Sequence, residues 1–436
     1  MPIGWTVVII FGPLFILLGS GIYIAIGLGA VGIFSLELLV DLPGIIGAVI
    51  YNTAHSYVLA AVPLFLLMGE LVYGSGLSQR LYSGVSKWTG VVPGGLLHSN
   101  IVSCSLFAAV SGSSVATAAT VGSVAYPEQS ARGYSRGLIT GSLAAGGTLG
   151  ILIPPSITMI IYGSFVSASV GKLFMGGVIP GIILSLMFML YIGTISLLNP
   201  RLVEPRQVLT TRYFVNAITA FRDIWPILLI MVTIFGGIYG GVFTPTEAAA
   251  VACVESILLA AVHSKLNFAI LKKASLSALK TSAMVSFIII GAQILAMALS
   301  MLKIPAQLTQ IIAGWELNRL MVWFFVVIMY LILGCLMDGI SMMLLTLPVT
   351  FPLLINALGF DPIWFGVLLV LLVECGLITP PVGINVYVIH GISGGTNIME
   401  VFKGVIPFFI CMIILLVILT FIPELVLWLP GLMLGR

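Results

Sequence analysis

Pro154-Pro155 and Pro380-Pro381 each interrupt a long apolar run. Proline has no N–H to donate and its ring clashes with the preceding turn, so a helix must unwind at such a pair. Unwinding frees backbone carbonyls. Nearby side chains add oxygen. Around the first pair, Ser111, Ser113, Ser114 and Thr148 offer hydroxyls, and Gly150 to Pro154 offer carbonyls. Around the second, Ser341 and Thr379 offer hydroxyls, Gly334, Gly376 and Val382 offer carbonyls, and Asp338 offers a charge. An all-oxygen donor set suits a hard cation. The first set holds no carboxylate, and a proton site needs a titratable group, so Na⁺ fits it better than H⁺.

The rest of the chain says where such sites must lie. Of 436 residues, 60% are hydrophobic and 7% are charged. A soluble domain carries about 25% charged residues. This chain cannot cover itself with a solvated shell, which excludes a soluble enzyme and a disordered protein. A net charge of +3 is too small and too dispersed for a nucleic-acid face. The expected class is an all-α polytopic membrane protein. The start, Met-Pro-Ile-Gly-Trp, lacks the basic region of a signal peptide, so its apolar run is expected to be a retained span.

A span needs roughly 20 apolar residues, which predicts about ten transmembrane helices: 4–20, 22–40, 56–75, 137–166, 173–198, 224–241, 247–263, 280–300, 363–390 and 404–429. Two of them, 137–166 and 363–390, are broken at the Pro-Pro pairs. The segments 96–126 and 320–353 read differently, as apolar arms around a small polar centre. Each is predicted to be a re-entrant hairpin, whose exposed turn is tolerated only inside protein or against a wet cavity.

The two halves repeat. Gly150 to Pro155 matches Gly376 to Pro381 at an offset of 226, and Gly177-Val-Ile-Pro180 matches Gly404-Val-Ile-Pro407 at 227. Ser111-Gly112 is set against Asp338-Gly339, also at 227, and Phe65 to Gly69 resembles Phe287 to Gly291 at 222. The expected organisation is a first repeat over 1–223 and a second over 224–436. Loop charge gives orientation. Arg201, Arg206, Arg212 and Arg222 in loop 199–223, and Lys265, Lys272, Lys273 and Lys280 in loop 264–280, are placed inside. Arg132 and Arg136 follow inside, and loop 354–362 falls outside. The repeats are then inverted in topology, with both termini outside. Paired interrupted segments in inverted repeats point to a secondary transporter with its site at the midplane.

Other candidates carry less. Among the carboxylates in apolar stretches, Glu70, Glu247, Glu255, Asp338 and Glu374, Asp338 is the strongest functional candidate. Glu247, in Thr244-Pro-Thr-Glu-Ala, reads as a helix cap. Cys104, Cys253, Cys335, Cys375 and Cys411 form no CxxC pair and read as inert thiols. Ser111 to Ser114 lack a neighbouring His to activate a nucleophile, so no enzyme is expected.

Four motifs together resemble the large permease subunit, DctM type, of tripartite ATP-independent periplasmic (TRAP) transporters. They are Ser-Gly-Ser-Ser-Val-Ala-Thr (111–117), Gly-Thr-Leu-Gly-Ile-Leu-Ile-Pro-Pro-Ser (147–156), Thr-Pro-Thr-Glu-Ala-Ala-Ala (244–250) and Gly-Leu-Ile-Thr-Pro-Pro-Val-Gly-Ile-Asn (376–385). The resemblance implies Na⁺-coupled import of a small organic acid across a bacterial inner membrane by an elevator movement, with the termini periplasmic. One Na⁺ would sit at the first tip with Gly150, Ile153 and Pro154, and another with Gly334, Gly376, Thr379 and Val382. Thr117, Ser341, Pro155, Pro381 and Asn385 are the expected substrate contacts. The implied partners are a separate small four-helix DctQ-like membrane subunit, a DctP-like periplasmic binding protein and the lipid bilayer, with no nucleic acid. Sialic-acid members tend to carry an acidic residue where this chain has Thr117, which favours a C4-dicarboxylate or another carboxylate over sialic acid. The competing reading is a standalone Na⁺/dicarboxylate-type carrier of the same architecture.

Overall fold

The computed structural model describes residues 3–204, 211–263, 266–314 and 317–432. All regular structure among them is helical. Among the described residues seven helices are long and apolar enough to cross a membrane, or eight if the bent pair Ile45–Ala54 with Val58–Gly74, angled by 49°, forms one span. The first two predicted spans are present as shorter apolar helices, Gly4–Gly19 and Ile24–Leu39.

Both unusual segments form paired helices around a short turn. The first hairpin is Leu96–Ser111 and Ser114–Ala131, and the second is Arg319–Gly334 and Gly339–Phe351. Three of these arms hold 16 to 18 residues, roughly 24–27 Å, less than a ~30 Å hydrocarbon core, while the fourth is the start of Gly339–Ala357, 19 residues that count among the seven long helices. The second hairpin's latter arm runs on through a π turn, Pro352–Ala357. Local chemistry fixes the first turn. Gly112 ends its arm in the left-handed region at φ 59, and Ser113 caps the next helix by accepting from the Ala116 N–H at 3.4 Å. In the second, Asp338 caps by accepting from the Ser341 N–H at 3.1 Å.

The caps correct the register read from sequence. Ser113 corresponds to Asp338, so Ser111-Gly112 is not the counterpart of Asp338-Gly339. The first turn has two linking residues, Gly112 and Ser113, whereas the second has four, Cys335 to Asp338.

Both Pro-Pro pairs break their helices. Arg136–Leu152 gives way to Ile157–Val166, and Pro362–Ile378 to Ile384–Ile392. The upstream pieces are buried on every face from Leu138 to Leu152 and from Ile363 to Ile378. A helix apolar all round belongs in the interior. Arg136–Leu152 packs against both arms of the first hairpin, the two pieces of the second broken helix, and helix Ile398–Phe421. Glycine permits the last contact, because a Cβ on Gly141 would collide with the Gly404 carbonyl.

The repeat extends to elements with little sequence signal. Helix Leu77–Thr89 precedes the first hairpin and Ile304–Ala313 precedes the second. Leu77, Leu81, Tyr82 and Val85 form the buried face of the former. Its other side carries Lys87, which pairs with Asp223 at 2.6 Å.

Two loop assignments are corrected. Helix Phe268–Met301 spans 34 residues, so Lys272, Lys273 and Lys280 lie on helix instead of in a loop. Its ~51 Å exceeds the bilayer core, which lets its charged first turns stand in the interface. Helix Thr211–Tyr239 likewise contains Arg222. Arg206, the Arg212 side chain and Lys265 lie outside the described residues. The Glu247 cap forms as expected: Thr244 donates its N–H and its hydroxyl to the carboxylate at 2.8 and 2.9 Å, and accepts from the Glu247 N–H at 3.3 Å.

Candidate functional site

The two hairpin turns and the two breaks meet in matched pairs. The Gly112 carbonyl accepts from the Ile157 N–H just past Pro154-Pro155, and the Cys335 carbonyl accepts from the Val382 N–H just past Pro380-Pro381, both at 3.4 Å. Both Pro-Pro bonds are cis. Each turn is therefore stitched to the break of its own half.

At the first site the oxygens are dense. Ser111 and Thr117 hydroxyls lie 2.7 Å apart, and Thr117 donates to the Ser113 carbonyl at 2.8 Å. Ser114 donates to the Gly147 carbonyl at 2.9 Å. Gly150 closes the group, since a Cβ there would sit 2.7 Å from both the Ser113 carbonyl oxygen and Thr117 Oγ1. Pro154 and Pro155 withhold the N–H groups that the Gly150 and Ile151 carbonyls would otherwise receive. The last regular bond is from the Ile153 N–H to the Leu149 carbonyl at 3.0 Å. Thr148 instead turns its hydroxyl back to the Ala145 carbonyl at 2.7 Å. Ser111, Ser113, Ser114 and Gly150 thus gather at one turn, beside the break that contains Ile153 and Pro154.

The second site has the same plan with fewer hydroxyls. Gly334 and Gly376 touch backbone to backbone: a Cβ on Gly376 would lie 2.7 Å from the Gly334 Cα. Thr379 donates its N–H to the Gly376 carbonyl at 3.3 Å and its hydroxyl to the Cys375 carbonyl at 2.5 Å. Its hydroxyl oxygen keeps lone pairs for a ligand. Asp338 caps the facing arm, and Val382 is held by its bond to Cys335.

One cavity of about 520 Å³ joins the two turns. Ser111 to Ser114 enter it from the first, and Asp338, Gly339 and Ile340 from the second. Helix Ala61–Gly74 supplies Glu70, and helix Phe268–Met301 supplies Thr281. Thr120 and Thr158 add hydroxyls. No motif in the sequence marks Thr120, Thr158 or Thr281.

The expected substrate contacts sit elsewhere. Thr117, Ser341, Pro155, Pro381 and Asn385 are not on the cavity wall. Thr117, Ser341 and Asn385 are wholly buried, and the Ser341 hydroxyl has no hydrogen-bond partner. Asn385 crosses between halves, donating to Ser114 Oγ at 3.0 Å and to the Ala144 carbonyl at 3.2 Å. Glu374 is buried on the helix before the second break, with neither carboxylate oxygen in a regular hydrogen bond.

The profile of the tripartite ATP-independent periplasmic transporter, DctM component, matches residues 7–425. The chain belongs to this family. The C4-dicarboxylate TRAP transporter large permease protein DctM of Pseudomonas aeruginosa is 37% identical to this DctM-family chain over 383 residues, 88% of each. The isethionate TRAP transporter permease protein DctMQ of Oleidesulfovibrio alaskensis is 32% identical over 425 residues, which cover 97% of this chain and 66% of that protein. Among solved structures, the Alcanivorax borkumensis YdaH transporter shares the fold, with a TM-score of 0.62 at 14% identity over 88% of this chain and 87% of that one. The chain is a multi-pass TRAP permease subunit and not an enzyme.

Proposed function

We propose that this permease imports a small organic acid, C4-dicarboxylate-like or another carboxylate, by coupling its movement to Na⁺. The carrying observation is that both hairpin turns and both Pro-Pro breaks assemble around one cavity. In this reading one Na⁺ binds Ser111, Ser113 and Ser114 with the carbonyls of Gly150, Ile153 and Pro154. A second binds Gly334, Gly376, Thr379 and Val382, with Asp338 supplying charge. Thr117, Ser341, Pro155, Pro381 and Asn385 serve substrate binding from behind the wall, by shaping the turns that touch it.

Charge supports the coupling. The cavity wall carries Glu70 and Asp338 but no Lys, Arg or His among the described residues. An anion entering a low-dielectric site needs compensation, and bound Na⁺ provides it. The hairpins and broken helices pack as one group, which suits an elevator movement against helices Ala61–Gly74 and Phe268–Met301. The halves are read as inverted repeats over 1–223 and 224–436, set in a bacterial inner membrane with both termini periplasmic. The partners are a periplasmic binding protein and a small membrane subunit. The match covers 66% of the DctMQ relative, which agrees with a small subunit fused in that protein.

Uptake by proteoliposomes holding the permease, its small subunit and its binding protein tests this. Accumulation of acid should require an inward Na⁺ gradient. Equal accumulation in Na⁺-free buffer would overturn the coupling.

A further inference from the structure

Glu70 stands beside the first turn. The residue before it, Gly69, lies so close that a Cβ there would be 3.2 Å from the Ser111 Cα. Glu70 is half-buried, and its Oε1 accepts from the Ser277 hydroxyl at 2.6 Å. That bond orients the carboxylate. Glu70 lines the cavity, and its second carboxylate oxygen can accept a further hydrogen bond. Asp338, the other carboxylate on the wall, is engaged in capping Gly339–Phe351.

The cavity is therefore asymmetric. Near Ser111 to Ser114 it offers hydroxyls and the first N–H groups of Ser114–Ala131, which suit one carboxylate with its accompanying cation. Near Glu70 it offers a fixed negative acceptor. A ligand that donates hydrogen bonds there is favoured, and a second negative group is repelled by like charge. A ligand bearing only methylenes leaves the acceptor unfilled, and a site built to receive a hydroxyl discriminates strongly against analogues lacking one. The cavity of about 520 Å³ falls within the range of small-molecule sites.

We propose that Glu70, positioned by Ser277, is the specificity-determining residue of this permease, and that it selects monoanionic acids carrying hydroxyl groups over dicarboxylates and unsubstituted acids. This rests on the transport reading above and narrows its substrate class.

The test is equilibrium binding to the purified permease with its small subunit, in saturating Na⁺, of gluconate, succinate and hexanoate. Gluconate should bind at least about tenfold tighter than either of the others. Glu70→Gln should cut the gluconate-to-succinate preference by about tenfold, chiefly by improving succinate. Ser277→Ala should lower the same preference by about threefold, and it serves where Glu70→Gln does not purify as a folded complex. Wild type binding succinate as well as gluconate, or substitutions that leave the ratio unchanged, would overturn the proposal. Proteoliposome uptake separates the two readings. Succinate accumulation without gluconate accumulation sinks only the Glu70 proposal, whereas Na⁺-driven accumulation of no acid sinks both.

Discussion

The side-chain amide of Asn385 donates to the hydroxyl of Ser114 at 3.0 Å, tying the half-helix beyond the second break to the turn of the first hairpin. A second bond from the same nitrogen reaches the Ala144 carbonyl at 3.2 Å. Asn385 is fully buried, so water cannot replace either bond. Ser114 also donates to Gly147, so one hydroxyl connects three elements. The first turn cannot shift against the second break without losing this link.

Asn385→Ala should therefore destabilise the permease by about 1–3 kcal/mol, the cost of stranding buried polar groups. It should also raise the Na⁺ concentration needed for half-maximal uptake severalfold. Thermal unfolding in detergent reads the first effect, and a sodium titration of uptake reads the second. Wild-type values in both would show the bond to be incidental.

The Gly334–Gly376 contact leaves no room for a methyl group on either side. Gly376→Ala should push the second hairpin away from its broken helix, at about 1–3 kcal/mol for overpacking. Uptake should fall more than binding-protein docking, because the damage lies at the expected ion site. Gly133→Ala serves as a contrast, since open space surrounds Gly133 and only its φ of 79 opposes the change. If Gly376→Ala transports like wild type, the close approach has no functional meaning.

What could be read from sequence follows from the strength of each local signal. The Pro-Pro breaks were legible because proline acts on its own helix whatever surrounds it. The hairpins were legible because Ser111 to Ser114 and Asp338 interrupt otherwise apolar arms. Helices Leu77–Thr89 and Ile304–Ala313 were missed because an amphipathic interfacial helix resembles a polar loop when spans are sought by hydropathy alone. The long start of Phe268–Met301 was hidden for the same reason: Lys272, Lys273 and Lys280 looked like loop charge. The cavity was the least legible part. Glu70, Ser277 and Ser111 are separated along the chain by long stretches, and only packing at Gly69 brings them together.

Thr379 offers a sharper probe of the second ion site than any glycine. Its hydroxyl donates to the Cys375 carbonyl, which aims the oxygen lone pairs away from the helix. Thr379→Val keeps the shape and removes the oxygen, whereas Thr379→Ser keeps the oxygen. The valine variant should need about tenfold more Na⁺ for half-maximal uptake, and the serine variant should stay near wild type. Equal sodium requirements in the two variants would remove Thr379 from the ligand set.

The inverted arrangement makes a prediction about faces. Arg136 follows the first hairpin and Asn356 ends the second, and both are exposed. If the repeats enter the membrane from opposite sides, these positions face opposite compartments. Single cysteines, Arg136→Cys and Asn356→Cys, would be placed in a chain whose five native cysteines have been replaced. A membrane-impermeant maleimide added to intact cells should label position 356 readily and position 136 only after the membrane is opened. Labelling of both from outside, or of neither, would put the hairpins on one face. The two turns would then have to reach their shared cavity from the same side, and an ion trapped between opposed tips would have no structural basis.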